Sequence, residues 1–333
     1  MTVEDPLVSV VLLTFNGDRY LREVLDALFA QDTDFSYEVI VIDSDSTDNT
    51  LAILAEYPVR LHQIPNSEFS HGLTRNLGAS MARGRFVAYI TQSATPADGH
   101  WLKYLVDAFA IDEKVAAVYG RHVVRPGCDP ITRRATEESF GMMGPEDRPT
   151  VRSIAPKPEG RAKYEANEWI IAFYSDVSSC LRKSVWEQIP YRPLDYAEDQ
   201  AFGRDILEAG YWKVYEPRSV VYHSHSYPPL RYFRRQFDEY RGLRMSIGYR
   251  QQGSILRVVA GAVKGGIVDG RYIRSRTYSR PTKAKWLACA FAMNFLRRFA
   301  GYLAAREERL PARIVKSISL EARARGKARN AAP

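Results

Sequence analysis

Cysteine is scarce in this 333-residue chain: only Cys128, Cys180 and Cys289 occur, odd in number and far apart. No two of them have metal-site spacing, and such a set suits a reducing cytosol. Long apolar runs are missing too. WLACAFAMNFL has 11 residues before Arg297-Arg298, whereas a spanning helix needs about 20. SILRVVAGAVKGGIV carries Arg257 and Lys264 inside it. Neither segment spans a bilayer; both have the make-up of interfacial amphipathic segments flanked by Lys/Arg and Trp/Tyr. The opening MTVEDPLVSV has two acids and no basic flank, so no signal peptide is expected. No Gly-rich phosphate loop follows the first apolar run, which argues against a nucleotidyltransferase. There is no internal repeat.

What is present is an ordinary globular composition, 45% hydrophobic and 26% charged, in a chain long enough for a substantial core. The net charge of +8 conceals a split. From Leu230 to Pro333 there are 24 Lys/Arg and 6 Asp/Glu, a net of +18, which leaves 23 basic and 33 acidic residues, a net of −10, in the rest. This asymmetry points to a basic tail that meets an anionic surface, phospholipid or nucleic acid, or that packs against the protein's own acidic body.

The first 125 residues alternate between two periodicities. LVSVVLL (7–13), YEVIVID (37–43), VRLHQI, FVAYIT and VAAVYG read as strands. Between them Leu21, Val24, Leu25, Leu28 and Phe29 share a helical face, TDNTLAILAEY is a helix with Ser46 or Thr47 as N-cap, and GLTRNLGASMARG is a helix closed by Gly84. Trp101, Leu102, Leu105, Val106 and Phe109 mark another. The rhythm predicts an α/β fold, a mostly parallel sheet with helices on both faces. Residues 125–168 lose it and read as a long, partly mobile excursion. IIAFYSDVSSCLRKSVW is a strand leading into a helix, AEDQAFGRDILEAGY carries a further helix, and WKVYEPRSVVYHSHSY reads as two short extended pieces. Beyond Pro228-Pro229 the chain is helical, basic and aromatic. The expected organisation is a sheet domain over 1–228, with a nucleotide-binding half to about 125 and an acceptor and catalytic half over 126–228, then a basic amphipathic tail over 229–333.

In doubly wound sheets the carboxyl ends of the strands face one ligand crevice. Strand ends bring Thr14 and Asn16 (TFNG) and Asp43 (DSDSTDNT) to that crevice. Asp43 follows four apolar strand residues and is assigned to ligand; Ser46, Thr47 and Asp48 are assigned mainly to helix capping. Arg75 stands beside the small Gly78 and Ala79, which permit close packing. The strand FVAYIT runs into the uncharged loop Thr91-Gln92-Ser93-Ala94.

The segments VSVVLLTFN, EVIVIDSDSTDNT, FSHGLTRNLGA and YITQSATPADGHWL stand in the order and spacing of family 2 glycosyltransferases. The chain resembles that family over about residues 7–228, and F-x-H-G-x-x-R-N-x-G resembles its dTDP-rhamnosyltransferase branch. The resemblance implies a GT-A fold, Rossmann-like, followed here by the basic C-terminal helical region. It implies inverting transfer of a sugar, L-rhamnose from dTDP-L-rhamnose, to a hydroxyl of a lipid-linked cell-surface glycan. Thr14, Asn16 and Asp43 would contact the base and ribose, with Arg75 near the diphosphate and Asn76 beside it. In AEDQAFGRD, Asp199 would be the catalytic base, its carboxylate kept ionised by the helix N-terminus, with Glu198 orienting the acceptor or a loop. Relatives carry an Asp of a Thr-Gln-Asp-Ala motif where Ser93 stands here.

A neutral serine is a poor ligand for a hard divalent cation, Mg²⁺ or Mn²⁺. That leaves three outcomes: a metal held weakly by other groups, diphosphate stabilised by cationic side chains, or a dead enzyme. His223 and His225 alternate and would share one face of a strand; the resemblance, in which a histidine near the end of the core can complete the metal or diphosphate site, makes them candidates, and Asp98 and His100 are further candidates. The motif Gln-x-x-Arg-Trp of processive synthases is absent from the sequence. The expectation is therefore a non-processive enzyme held at the inner membrane face by Arg231, Arg234, Arg235, Arg297 and Arg298, with no nucleic-acid partner. The competing class is an inactive sheet domain whose basic, aromatic tail (Tyr232, Phe233, Tyr240, Tyr249) binds membrane or single-stranded nucleic acid.

Overall fold

The computed structural model describes residues 5–154, 158–194 and 196–322; the last arginines of the tail, from Arg323, lie outside the described residues. Two compact units result. The first holds the described residues up to Val123 together with Ser139–Leu194 and Glu198–His223. The second holds Val124–Glu138, the described part of Asp195–Ala197, and the chain from Ser224 onward.

The first unit is organised by one nine-stranded sheet. Its strands are β1 (Val8–Thr14), β2 (Tyr37–Asp43), β3 (Arg60–Gln63), β4 (Phe86–Thr91), β5 (Thr95–Pro96), β6 (Val115–Val123), β7 (Thr150–Arg152), β8 (Ser178–Arg182) and β9 (Trp212–Tyr222). The order is β3-β2-β1-β4-β8-β6-β9-β5, with β7 on β9. Strands β3, β2, β1 and β4 are mutually parallel, as are β6 and β9; β8 runs antiparallel between β4 and β6.

Side-chain alternation explains why both faces are covered. Val8, Val10 and Leu12 of β1 and Phe86, Ala88 and Ile90 of β4 pack with Leu21, Val24, Leu25 and Leu28 of the helix Asp18–Phe29. Val11, Val87 and Tyr89 face the other way, onto Ala79, Phe202 and Ile206 from the helices His71–Met81 and Glu198–Glu208.

Several local expectations change. The region 125–168 is not a structureless excursion: it contains the helix Pro130–Gly141, the strand β7 and a helix Pro158–Ala166. WKVYEPRSVVY is one long strand, irregular where it pairs with Gly120 and Arg121, rather than two pieces. The helix at 50–54 is short and its N-cap is Asn49; Asp48, not Ser46 or Thr47, accepts from the Thr50 N–H.

The second unit is helical, with Pro229–Ile247, Ile255–Ser275, Arg280–Ala304 and Ala312–Ile318. Phe233 and Phe237 pack on Ala300 and Ala304. The long pair Ile255–Ser275 and Arg280–Ala304 approaches closely at Gly265, where a Cβ would stand 2.1 Å from Asn294 Oδ1. Asn294 Nδ2 and Arg134 Nε both donate to the buried Asp269. No described helix is long and apolar enough to cross a membrane.

Candidate active site

The carboxyl ends of β1, β2 and β4 lie level. Thr14 pairs in register with Asp43, and Leu13 with Thr91. Asp43 is fully buried and its carboxylate is engaged on both oxygens. Oδ2 accepts from Thr14 Oγ1 at 2.8 Å and Ser46 Oγ at 2.6 Å, and Oδ1 from the Ser46 N–H at 2.9 Å. Asn16, at a φ of 45°, accepts at Oδ1 from the Thr47 N–H at 2.8 Å, while its own N–H donates to Ser46 Oγ at 2.9 Å. The two loops are thus stitched into one rim. Ser46 belongs to this stitching rather than to a helix cap. Among the described residues, the buried hydroxyls of Ser44 and Thr91 at the same edge have no hydrogen-bond partner, which is what a site completed by a ligand presents.

The loop after β4 joins that rim through Gln92. Its side-chain amide accepts from the Phe15 N–H at 2.9 Å and donates to the Phe15 carbonyl at 3.0 Å. Gly17 leaves room for this contact: a Cβ there would fall 2.2 Å from Gln92 Oε1 and displace the Gln92 side chain. Ser93 is half-buried in this loop.

On the opposite side of β4 the chain enters β8, and the Val177 carbonyl accepts from the Thr91 N–H at 3.4 Å. This brings Asp176 to the same sheet edge. Arg75 is buried, with Nε 3.0 Å from Asp176 Oδ2 and Nη1 on Glu198 Oε1. Asp176 Oδ1 also accepts from Ser179 Oγ at 2.6 Å and Tyr191 OH at 3.0 Å. Tyr89 OH donates to the Arg75 carbonyl at 2.9 Å. Asp199 follows Glu198 in the first turn of its helix, which Ala197 enters at a φ of 58°. Asp199 Oδ2 accepts from the Asp176 N–H at 3.3 Å and Oδ1 from the Gln200 N–H at 2.8 Å.

Two carboxylates, Asp176 and Glu198, therefore pair with one guanidinium, and Asp199 lies within the field of all three. Burial, then the charges of Glu198 and Asp176, push the Asp199 carboxyl well above the usual carboxylate range. The helix N-terminus was expected to favour its ionised form; desolvation and like charge outweigh that field.

The sequence-predicted residues fall into two groups on one sheet edge. Thr14, Asn16, Asp43 and the Ser93 loop form the rim, whereas Arg75, Glu198 and Asp199 form the carboxylate cluster. Arg75, expected at the diphosphate, is paired with Asp176 and Glu198. Asn76 is a structural residue: it accepts from Trp186 Nε1 at 2.8 Å and the Tyr191 N–H at 3.0 Å and donates to the Tyr191 carbonyl at 2.8 Å. Asp176 was missed, because only its distant partner Arg75 gives it meaning.

The histidines lie beyond the end of β9 at Tyr222, so the shared strand face predicted for them does not form. His223 packs edge-on against His122, ring centroids 5.7 Å apart, and His225 stacks on Tyr227 at 5.5 Å. Asp98 accepts from the His100 N–H at 2.8 Å, in the turn just before the helix Trp101–Asp107. No described group of three or more His, Cys, Asp or Glu side chains is placed to hold a metal ion. The neutral Thr91-Gln92-Ser93-Ala94 loop does not supply the charged oxygens that Mg²⁺ or Mn²⁺ prefers, so the residues present do not fit a tightly held cation.

A polar rim and a buried carboxylate cluster at the carboxyl ends of the strands stand where an α/β sheet of this class places its ligand. The chain matches the glycosyl transferase family 2 model over residues 9–189. It is 30% identical over 235 residues to the O-antigen chain rhamnosyltransferase RfbN of Salmonella typhimurium, across 69% of this chain and 70% of the relative. Against WbaN of Salmonella anatum, another O-antigen chain rhamnosyltransferase, it is 30% identical over 238 residues, 70% and 71% of the two chains. The solved mannosyltransferase PcManGT of Pyrobaculum calidifontis, in complex with GDP-Man and Mn²⁺, aligns with a TM-score of 0.54 at 18% identity, over 98% of this chain and 87% of that one. That likeness shows the GT-A type of fold. The chain belongs to glycosyltransferase family 2 and resembles its rhamnosyltransferases.

Proposed function

We propose that this glycosyltransferase moves L-rhamnose from dTDP-L-rhamnose, with inversion, to a hydroxyl of a lipid-linked cell-surface glycan. The observation that carries the reading is the placement of Asp199: half-buried, in the first turn of its helix, and raised in basicity by burial, Glu198 and Asp176. Its carboxylate takes the proton of the acceptor hydroxyl while that oxygen bonds the anomeric carbon and the bond to the diphosphate breaks. A base tuned towards the working pH takes such a proton well. Glu198 is held by Arg75 and sets the position of the base. Thr14, Asn16 and Asp43 shape the rim for the base and ribose of the donor, and the Ser93 loop faces its diphosphate. No step is assigned to a metal. The basic helices of the second unit keep the enzyme at the inner membrane face, where each exposed Lys or Arg adds about 1 kcal/mol on an anionic surface.

The test is thermal stabilisation by dTDP, UDP and GDP, each with Mn²⁺ or with EDTA. A nucleotide at about 100 times its Kd adds about 2.7 kcal/mol to the folded state. dTDP is expected to raise Tm in EDTA as well as in Mn²⁺, and UDP and GDP to do less. No shift with any nucleotide contradicts the proposal.

A further inference from the structure

The helix Ile255–Ser275 carries an apolar ladder that stands exposed among the described residues. Val259, Val263 and Ile267, four residues apart, are 40%, 47% and 51% exposed, and Leu256 beside them is 76% exposed. Phe291, 47% exposed, extends the patch from the neighbouring helix, its backbone 3.3 Å from where a Gly266 Cβ would stand. Ala260, Ala284, Ala288 and Ala292 are exposed alongside. Scattered apolar side chains on a surface need no explanation, but a contiguous stripe does.

Charge selects the occupant. Between Ile255 and Ala304 there are ten Lys/Arg and one acid, Asp269. That acid is buried and bonded to Arg134 and Asn294. Arg257, Lys264, Arg271, Arg274 and Lys285 are exposed on the same two helices. A second copy laid on this face would oppose cation to cation. An anionic bilayer surface supplies both an apolar boundary and negative headgroups, which is what an interfacial amphipathic helix needs.

We propose that this ladder is the membrane-docking face: Leu256, Val259, Val263, Ile267 and Phe291 enter the headgroup–acyl boundary while the flanking Lys and Arg bind anionic headgroups. The inference deepens the membrane reading above. It goes beyond a general basic tail by naming an apolar anchor whose contribution salt does not remove.

The experiment is co-sedimentation of the full-length protein with phosphatidylcholine vesicles, with and without phosphatidylglycerol, at low and high salt. The comparison is with the Leu256→Glu/Ile267→Glu variant and with the Lys264→Glu/Arg271→Glu variant. Wild type is expected to bind the anionic vesicles and to retain part of its binding at high salt. The Leu256→Glu/Ile267→Glu variant is expected to bind about tenfold more weakly and to lose the salt-resistant part. The charge variant is expected to lose the salt-sensitive part. Nucleotide-induced stabilisation should be unchanged in both, which verifies folding and separates failure here from failure of the transferase reading. Equal vesicle binding by wild type and Leu256→Glu/Ile267→Glu overturns the proposal. So does a wild-type dimer in solution that the same substitutions convert to monomer, since a second copy would then be the occupant.

Discussion

Arg75 Nε stands 3.0 Å from Asp176 Oδ2, with both side chains buried and Glu198 on the other side of the same guanidinium. Taking one partner from such a group strands the others without compensation, at a cost of about 3–5 kcal/mol. Arg75→Met is expected to lower unfolding stability by that order. Arg75→Lys, which cannot reach two carboxylates through a planar fork, should recover only part of it. Denaturant unfolding at pH 7 checks this. Arg75→Met within 1 kcal/mol of wild type would show that the pair carries no structural load.

Asp199 is raised well above the ordinary carboxylate range by burial, then by Glu198 and Asp176. A base must be ionised to act, so the acid limb of kcat/KM against pH is expected above that range. Removing the Asp176 charge takes away one raising cause and leaves Arg75 more available to its neighbours. Both effects lower the pKa of Asp199, so Asp176→Asn is expected to move the acid limb to lower pH. A limb that stays in place, or moves up, contradicts the coupling.

Linkage gives the stability counterpart. Between the unfolded and the higher folded pKa of Asp199, the folded state binds more protons, so its contribution to stability falls as pH rises through that window. Asp199→Asn is expected to remove this fall, read as a flatter Tm against pH on the acid side.

Lys213 is fully buried, with its Nζ on the Phe173 carbonyl and 5.6 Å from the centre of the Tyr119 ring. Burial, with Arg152 nearby, pushes its pKa well below that of a free lysine. The unfolded chain therefore binds a proton that the folded chain does not, and stability rises with pH until the unfolded lysine titrates. Lys213→Met is expected to abolish that slope. The difference in unfolding free energy from wild type should change by about 1.4 kcal/mol per pH unit in the affected range. A constant difference contradicts the assignment.

Ser93 leaves the loop after β4 without a carboxylate. Ser93→Asp supplies the charged oxygen that a hard cation prefers. The variant is expected to show a larger dTDP-induced Tm shift in Mn²⁺ than in EDTA, with wild type showing similar shifts in both. Equal shifts for the variant would place the loop away from the diphosphate.

The sheet was legible in the sequence because β1, β2 and β4 bury both of their faces and so read as nearly continuous apolar runs, Val39–Ile42 above all. The motif singled out Asp199 in the sequence, but its environment was not legible there. The cluster depends on Asp176, a single acid in YSDVSS that acquires its role only when folding brings Arg75 to it. The helix Pro130–Gly141 was missed for a local reason: ITRRATEESFG is mostly polar and carries too few apolar residues to show a helical period. His223 and His225 alternate like strand residues, but β9 ends at Tyr222, and period-2 spacing alone does not extend a strand.

The central claim is that Asp199 is the base of a rhamnosyl transfer, and the most direct measurement is transfer of label from dTDP-L-rhamnose to membrane glycolipid. Wild type and Asp199→Asn would be assayed side by side, with dTDP binding measured in parallel by Tm shift. The account predicts labelled product with wild type, with the anomeric configuration opposite to that of the donor. It predicts a loss on the order of 10²–10⁴-fold with Asp199→Asn while dTDP binding is kept. Transfer by Asp199→Asn at the wild-type rate, or product that retains the donor configuration, would contradict it.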